Sequence, residues 1–242
     1  MNIALIIAGG RGHRMGQEIP KQFLNVYDKP VIIYTLESFQ RHPGIDGIVV
    51  VCLDGWNEIL RAYAKQFGID KLLRVVSSGE TAQESIRNGV FALREVCGPE
   101  DTVVIHDGIR PMVEDFVLTD VLVKCREHGN AVTSLPYNEQ IFVSEDGVST
   151  ISYIPRDTLR RVSTPQAYRY EKLLWAYEKA FLEGIGIQAS TYANTLMADL
   201  GERLYFAAGS EKNIKLTTRD DFELFKTYVK MEKDSWLKQV RE

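Results

Sequence analysis

The first 21 residues place a short apolar run directly before a glycine-rich turn. Residues 3–7 read I-A-L-I-I, a composition typical of a buried strand, and Gly9 and Gly10 follow almost at once. Glycine lets backbone N–H groups approach an anion closely. Arg14 and Lys21, which follow the turn, can neutralise charge on phosphate oxygens. This stretch therefore predicts a nucleotide or phosphate site after the first strand.

Two familiar glycine-rich loops do not match this turn. The dinucleotide fingerprint G-x-G-x-x-G requires a third glycine, and Met15 stands in its place. The sequence G-x-x-x-x-G-K-[ST] of a P-loop does not occur. A plain strand-to-helix turn stays open as the alternative, with Lys21 an ordinary solvated lysine. The basic residues favour phosphate, and Pro20 fixes the backbone just before Lys21.

Composition limits the class of protein. The chain has 242 residues, 45% hydrophobic, and a formal net charge of −4, which fits one large domain and argues against a general nucleic-acid binder. Its three cysteines form no C-x-x-C pair, and with the four histidines they show no zinc-ligand spacing. No apolar run approaches the ~18 residues of a membrane span, and no signal peptide is evident. We expect a cytoplasmic protein without nucleic-acid or membrane partners.

Short apolar runs alternate with helical patterns in the first half of the chain. This alternation predicts an α/β fold with a Rossmann-like, mostly parallel sheet covered by helices on both faces. The predicted strands cover residues 3–7, 48–53, 73–76 and 102–105. The predicted helices cover residues 31–40, 56–67, 82–96 and 117–127. In such a sheet, ligands bind beyond the carboxyl ends of the strands.

The pattern changes after Gly129. Short strands are predicted over residues 131–135, 140–144 and 148–154, and residues 145–147 read as a hairpin turn. We expect one domain over residues 1–242, with a projecting insertion at about residues 136–165, the β-arm. Because an isolated hairpin is marginally stable in water, the β-arm is expected to pack on something else, such as a second subunit. The remaining sequence predicts a helix over residues 170–183, a strand over 203–207 and a helix over 219–238. A polar stretch covers residues 188–195.

The sequence V-I-H-D-G-I-R-P places Asp107 at the end of a predicted buried strand. An unpaired carboxylate is costly there, and a metal ion or a nucleotide hydroxyl would relieve that cost. Mg²⁺ typically takes one or two carboxylates and completes its shell with phosphate oxygens and water. Gly108 would allow a ligand to approach. Arg110 is expected to pair with Asp107, and His106 to be structural rather than a base.

Three further features carry weaker signals. Residues 78–85 could read a base edge, although helix capping by Ser78 or Thr81 explains them equally well. Arg156 on the β-arm could reach a substrate phosphate, with a plain surface arginine as the alternative. Lys215, between two apolar neighbours, is a candidate second cation on the phosphate.

In combination these residues resemble one family, the cytidylyltransferases that activate small polyol phosphates. The resemblance extends from residue 4 to about residue 224. Its best-known members act on 2-C-methyl-D-erythritol 4-phosphate in isoprenoid synthesis or on ribitol 5-phosphate in teichoic-acid and capsule synthesis. The motifs that carry it occur in the family's order: A-G-G-R-G-H-R-M at 8–15, P-K-Q-F at 20–23, H-D-G-I-R-P at 106–111, R-D at 156–157, T-P-Q at 164–166 and N-I-K-L-T at 213–217.

The resemblance implies a nucleotide-diphospho-sugar transferase type of fold, a homodimer formed through the β-arm, CTP as nucleotide and Mg²⁺ on its triphosphate. It implies nucleotide contacts at Ala8, Gly9, Gly10, Gly79, Glu80, Ser85, Asp107 and Gly108. It implies catalytic cations at Arg14, Lys21, Arg156 and Lys215. Arg156 of a partner subunit and Thr191 match acceptor contacts, and Asp107 matches the metal-binding position.

The implied reaction is an in-line attack of the acceptor phosphate on the α-phosphorus of CTP, with release of pyrophosphate. Three departures from the family's pattern are at Ala82, at Glu139 and Gln140, and at Tyr192 and Ala193. The last two concern the acceptor side. The spacing before Pro20 and the sequence V-V-V-C-L-D-G-W are slightly closer to the ribitol phosphate branch. Another NTP or sugar phosphate, or a non-catalytic nucleotide-binding homologue, stay open as alternatives.

Overall fold

A computed structural model describes residues 1–10, 19–188 and 191–239. The strands are β1 (Asn2–Ala8), β2 (Asn25–Val26), β3 (Lys29–Pro30), β4 (Gly47–Cys52), β5 (Leu72–Ser77), β6 (Thr102–Asp107), β7 (Asn130–Pro136), β8 (Ile141–Val143), β9 (Ser152–Ile154), β10 (Arg160–Arg169) and β11 (Phe206–Ala208). The α-helices are α1 (Val31–Arg41), α2 (Asn57–Gln66), α3 (Ala82–Ala92), α4 (Asp115–His128), α5 (Tyr170–Glu183), α6 (Ala193–Asp199) and α7 (Arg219–Gln239).

Within the described residues, seven strands form the main sheet in the order β11-β7-β10-β6-β1-β4-β5. β1 lies between β4 and β6 and runs parallel to both. β10 is antiparallel to both of its neighbours, β6 and β7. The predicted mostly parallel sheet is therefore confirmed. The parallel strands end at one edge, which places the turn after Ala8 beside Asp107 and Ser77.

Helices cover both faces of this sheet because alternate strand residues point to opposite sides. Ala4 and Ile6 belong to a core that includes residues of α1, α2 and α4. Ile3 and Leu5 belong to a second core, built with residues of α3, α5 and α6. α7 packs through a third, smaller apolar cluster that includes Val31. The two large cores thus lie on opposite faces of the central strands and hold them in place.

Two elements of the second half differ from the sequence-based expectations. The strand predicted over residues 131–135 lies within β7 of the main sheet, but β10 was not predicted at all. Polar and charged residues occupy the start of β10, where it is exposed, and only its second half is buried. α6 begins inside the stretch that the sequence indicated to be polar and irregular. In each case tertiary packing, and not local pattern, decides the element.

The β-arm carries a separate two-stranded sheet of β8 and β9. Phe142, Val148, Ile151 and Tyr153 are exposed on it. In the part of the chain that is described, no helix combines the length and apolar character needed to cross a membrane.

Candidate active site

A cleft of about 750 Å³ opens at the carboxyl ends of the central strands. Among the described residues, those that line it come from seven separate stretches of the sequence. Ten of the predicted site residues line it: Ala8, Gly9, Gly10, Lys21, Gly79, Glu80, Ser85, Asp107, Thr191 and Lys215. The structure thus brings together most of the positions that the sequence predicted.

The glycine turn is held from two sides. A Cβ on Gly9 would lie 2.5 Å from the Cβ of Ser78, so only glycine fits against the neighbouring loop. The buried Gln22 side chain donates hydrogen bonds to the carbonyl oxygens of Ala8 (2.7 Å) and Gly10 (3.0 Å). A Cβ on Gly10 would meet nothing within 4 Å. Contacts with Ser78 and Gln22 therefore fix the position of the turn, while Gly10 faces open space.

The segment before α3 is a helix start with a capping box. The Thr81 hydroxyl accepts from the backbone N–H of Glu84, and the Glu84 carboxylate accepts from the backbone N–H of Thr81. The Ser85 hydroxyl accepts from the N–H of Gly79 at 3.0 Å and donates to the carbonyl of Thr81. A Cβ on Gly79 would lie 2.4 Å from the Cβ of Glu84. Capping by Thr81 is thus confirmed, and it shapes the loop that lines the cleft.

Asp107 holds two cations at the centre of the cleft. Its Oδ2 lies 2.9 Å from Nε of Arg110 and 3.2 Å from Nζ of Lys215. Burial opposes ionisation of this carboxyl, but Lys215 and Arg110 outweigh burial, so the pKa of Asp107 lies below its ordinary value. On its other side, Lys215 Nζ lies 5.1 Å from the centre of the Tyr192 ring. Lys215 is therefore positioned between a carboxylate and an aromatic face.

Arg110 and His106 support this arrangement from below. Arg110 donates to the carbonyl of Asn213 at 2.7 Å and so ties the loop before Lys215 to the end of β6. Nε2 of His106 lies 3.0 Å from the carbonyl oxygen of Arg110, which makes the imidazole nitrogen the donor. Burial lowers the pKa of His106 to about 4. The predicted structural roles of Arg110 and His106 agree with this geometry.

Three predicted site residues are not seen in the cleft. Gly108 lies beneath its wall, where a Cβ would come within 2.7 Å of the side chain of Ile32, so packing of α1 requires the glycine. The position of Gly108 gives no support to its expected role in ligand approach. Arg156 is exposed on the β-arm, in a short 3₁₀ helix, and does not line the cleft of its own chain. Arg14 lies outside the described residues.

Several residues that shape the site had no role assigned from the sequence. Gln22, Thr164 and Gln166 lie inside motifs that the sequence analysis used, but their functions depend on partners far along the chain. The Thr164 hydroxyl accepts from the backbone N–H of Asp107 at 3.1 Å. Tyr192 had been noted only as a departure from a pattern. No local pattern marks these residues, because their neighbours in sequence are both polar and apolar.

The described residues contain no group of three or more histidine, cysteine, aspartate or glutamate side chains able to hold a metal ion. Asp107 and Glu80 are the carboxylates along the described cleft wall. This donor set fits a divalent cation whose remaining ligands are phosphate oxygens and water. It does not fit a cation held by protein groups alone.

One protein-family model matches nearly the whole chain. Residues 2–231 match the family model described as IspD: 2-C-methyl-D-erythritol 4-phosphate cytidylyltransferase. The chain belongs to this cytidylyltransferase family. The family resemblance expected from the sequence is thereby confirmed.

Individual relatives refine the comparison. The chain is 60% identical to a ribitol-5-phosphate cytidylyltransferase of Lacticaseibacillus paracasei, over 95% of this chain and 98% of the relative. It is 37% identical to a ribitol-5-phosphate cytidylyltransferase of Vibrio parahaemolyticus, over 95% of this chain and 96% of the relative. Among solved structures, the 4-diphosphocytidyl-2C-methyl-D-erythritol synthase of Anaerococcus prevotii superposes with a TM-score of 0.79 at 22% identity, over 95% and 98% of the two chains. This structural similarity, at 22% identity, is evidence for the fold alone.

Proposed function

We propose that this protein transfers CMP from CTP to ribitol 5-phosphate and releases pyrophosphate. The observation that carries the proposal is the cleft that collects the glycine turn, Lys21, Asp107 and Lys215. Lysines facing one cleft beside a fixed backbone turn suit a substrate with several phosphate groups. The identity of the acceptor is supported by the 60% identical relative, whose name specifies ribitol 5-phosphate.

In this proposal each wall of the cleft has one role. The backbone of Ala8, Gly9 and Gly10 binds the triphosphate, and the loop at Gly79, Glu80 and Ser85 lies against the cytosine. Asp107 binds the ribose or a metal ion. Thr191 lies where the acceptor binds. Because Gly108 is packed beneath the wall, its part is to let α1 approach and not to touch the nucleotide.

The chain's own residues would promote the reaction by position and charge. The acceptor phosphate attacks the α-phosphorus of CTP, the bond to the β-phosphate oxygen breaks, and pyrophosphate leaves with the electron pair. Lys21 and Lys215 stabilise the negative charge that accumulates on the oxygens around the α-phosphorus. Arg14 is assigned the same role. No covalent bond to the protein is needed, so alignment supplies much of the acceleration.

A divalent cation such as Mg²⁺ is part of the proposal. Asp107 is the residue that would hold it, with triphosphate oxygens completing the shell. When bound, the cation would neutralise charge on the triphosphate. Both oxygens of Asp107 already face cations, so Lys215 would have to turn toward the phosphates when the metal is held.

The assay measures pyrophosphate release from CTP with ribitol 5-phosphate and, in parallel, with 2-C-methyl-D-erythritol 4-phosphate. We expect kcat/KM to favour ribitol 5-phosphate by at least about tenfold, which corresponds to about 1.4 kcal/mol, the size of one net hydrogen bond. Preference for the second acceptor would reject the proposed acceptor, and no release with either would reject the activity. UTP, GTP and ATP serve as nucleotide controls.

We also infer that the chain is one domain with the β-arm inserted at about residues 136–165, and that two copies form a homodimer through this arm. The apolar side chains exposed on the arm need a partner surface, because large exposed apolar patches are unfavourable in water. Arg156 is exposed on the same arm and outside its own cleft, so it is free to reach the partner's acceptor site.

A complementation experiment tests this arrangement. Arg156→Ala and Lys215→Ala proteins are mixed after mild unfolding and refolding. If Arg156 acts across subunits, each heterodimer gains one complete site, and a random mixture recovers about a quarter of the activity expected of the unaltered dimer. No recovery despite heterodimer formation would place Arg156 in its own subunit's site, and full activity of Arg156→Ala alone would place it outside the reaction. Sedimentation that shows only monomer would reject the dimer.

A further inference from the structure

The geometry points to Gln83 as a positioning residue for the acceptor side of the cleft. Gln83 does not line the cleft and is buried, with 1% of its surface exposed. Its side chain connects a buried tyrosine of α5 to the backbone at Tyr192. This inference rests on the proposed function, since that proposal assigns Thr191, the neighbour of Tyr192, to the acceptor.

The connection consists of two hydrogen bonds. The hydroxyl of Tyr177 donates to Oε1 of Gln83 at 2.9 Å, and Nε2 of Gln83 donates to the carbonyl oxygen of Tyr192 at 3.0 Å. Tyr177 is fully buried, so its hydroxyl fixes which way the Gln83 amide points. Breaking either bond leaves a buried polar atom without its partner, which favours movement of the less constrained segment.

A second tyrosine–glutamine pair holds the next part of the same segment. The Tyr168 hydroxyl donates to Oε1 of Gln166 at 2.9 Å, and the same oxygen accepts from the backbone N–H of Asn194 at 3.2 Å. The segment that begins α6 is therefore held from α3 on one side and from β10 on the other.

The nucleotide side does not depend on Gln83. The loop at residues 79–81 is held by Ser85 and by the capping box of Thr81 and Glu84. Loss of the Gln83 amide should therefore disturb acceptor binding while CTP binding persists. A displacement of about 1 Å in a positioning group can reduce turnover strongly.

The matched variants use two tyrosines of α5. Tyr177→Phe removes the hydroxyl that orients Gln83, and Gln83→Met removes the amide. Tyr170→Phe is the control. The Tyr170 hydroxyl also bonds α5 to α3, at the carbonyl of Val90 (3.1 Å), but Val90 lies about two helical turns after Gln83, the residue that contacts Tyr192. We expect Tyr177→Phe and Gln83→Met to raise the acceptor KM by about five- to twentyfold, with the CTP KM within about twofold. Tyr170→Phe should change neither.

Hydrogen–deuterium exchange gives a readout that needs no substrate. Peptides covering residues 191–199 should exchange about fivefold faster in Tyr177→Phe and Gln83→Met than in Tyr170→Phe at equal global stability. Unchanged exchange in this segment, or equal rises in the two KM values, would overturn the inference. If the unaltered protein does not use ribitol 5-phosphate, the proposed function fails, while the exchange experiment still decides whether Gln83 holds the segment.

Discussion

Nζ of Lys215 lies 3.2 Å from Oδ2 of Asp107, although 108 residues separate the two in sequence. The carboxylate holds the lysine at the cleft wall before any substrate arrives. A triphosphate would compete with Asp107 for the ammonium group. This pair links the loop at residues 213–217 to the end of β6, and it leads to two of the predictions below.

Lys215→Ala should lower kcat by about 10²- to 10³-fold, because an ammonium group that stabilises transition-state charge is lost. Lys212→Ala is the matched control. Lys212 is more exposed and pairs with Glu114 at 3.2 Å, away from Asp107. Steady-state pyrophosphate release measures both variants. Equal losses in the two would contradict a specific role for Lys215.

Asp107→Asn should destabilise the fold in a pH-dependent way. The pKa of Asp107 is lowered on folding, so its ion pairs stabilise the protein above the unfolded pKa of about 4, and this contribution is lost as the pH falls below it. We expect a loss of about 2 kcal/mol in unfolding free energy at pH 7. The difference from the unaltered protein should shrink as the pH falls below about 4, as measured by urea unfolding. A difference that is constant with pH would contradict the assignment.

His106 should make stability rise with pH over a different range. Its folded pKa is about 4, whereas in the unfolded chain the group titrates near 6.5. Between these values the unfolded state binds more protons, so stability increases with pH, by up to about 1.4 kcal/mol per unit. His106→Gln keeps an N–H that can bond the Arg110 carbonyl but does not titrate. Its stability should vary less between pH 4 and 6.5, and an unchanged slope would reject the prediction.

Gly9→Ala should destabilise the protein by about 1–3 kcal/mol, since its new methyl group would overlap Ser78. Gly10→Ala is the control for stability, because nothing lies within 4 Å of its added Cβ. Thermal unfolding of both variants measures the difference. If Gly10→Ala weakens CTP binding without loss of stability, Gly10 faces the nucleotide as proposed. Equal destabilisation by the two substitutions would contradict the packing argument.

The sequence predicted several elements because their signals are local. The apolar run at residues 3–7 lies within β1, and the helical spacing at residues 170–183 coincides with α5. Thr81 was correctly weighed as a cap, since capping chemistry depends on residues three apart. The strand β10 was missed because its exposed first half carries charged residues, and its pairing with β7 depends on distant partners. The start of α6 was missed because it is held by a distant partner, the Gln166 side chain, which accepts from the backbone N–H of Asn194.

By itself, the sequence determined the alternation of strands and helices, the glycine turn after the first strand, and the presence of the cations Lys21 and Lys215. These follow from side-chain periodicity and backbone freedom, which act over a few residues. Only the tertiary structure decided that Lys215 lies against Asp107, that Gly108 packs under α1, and that Gln83 reaches Tyr192. Such contacts depend on how the sheet orders its strands and packs its helices, because a hydrogen bond or an ion pair forms only where folding brings distant residues within about 3 Å.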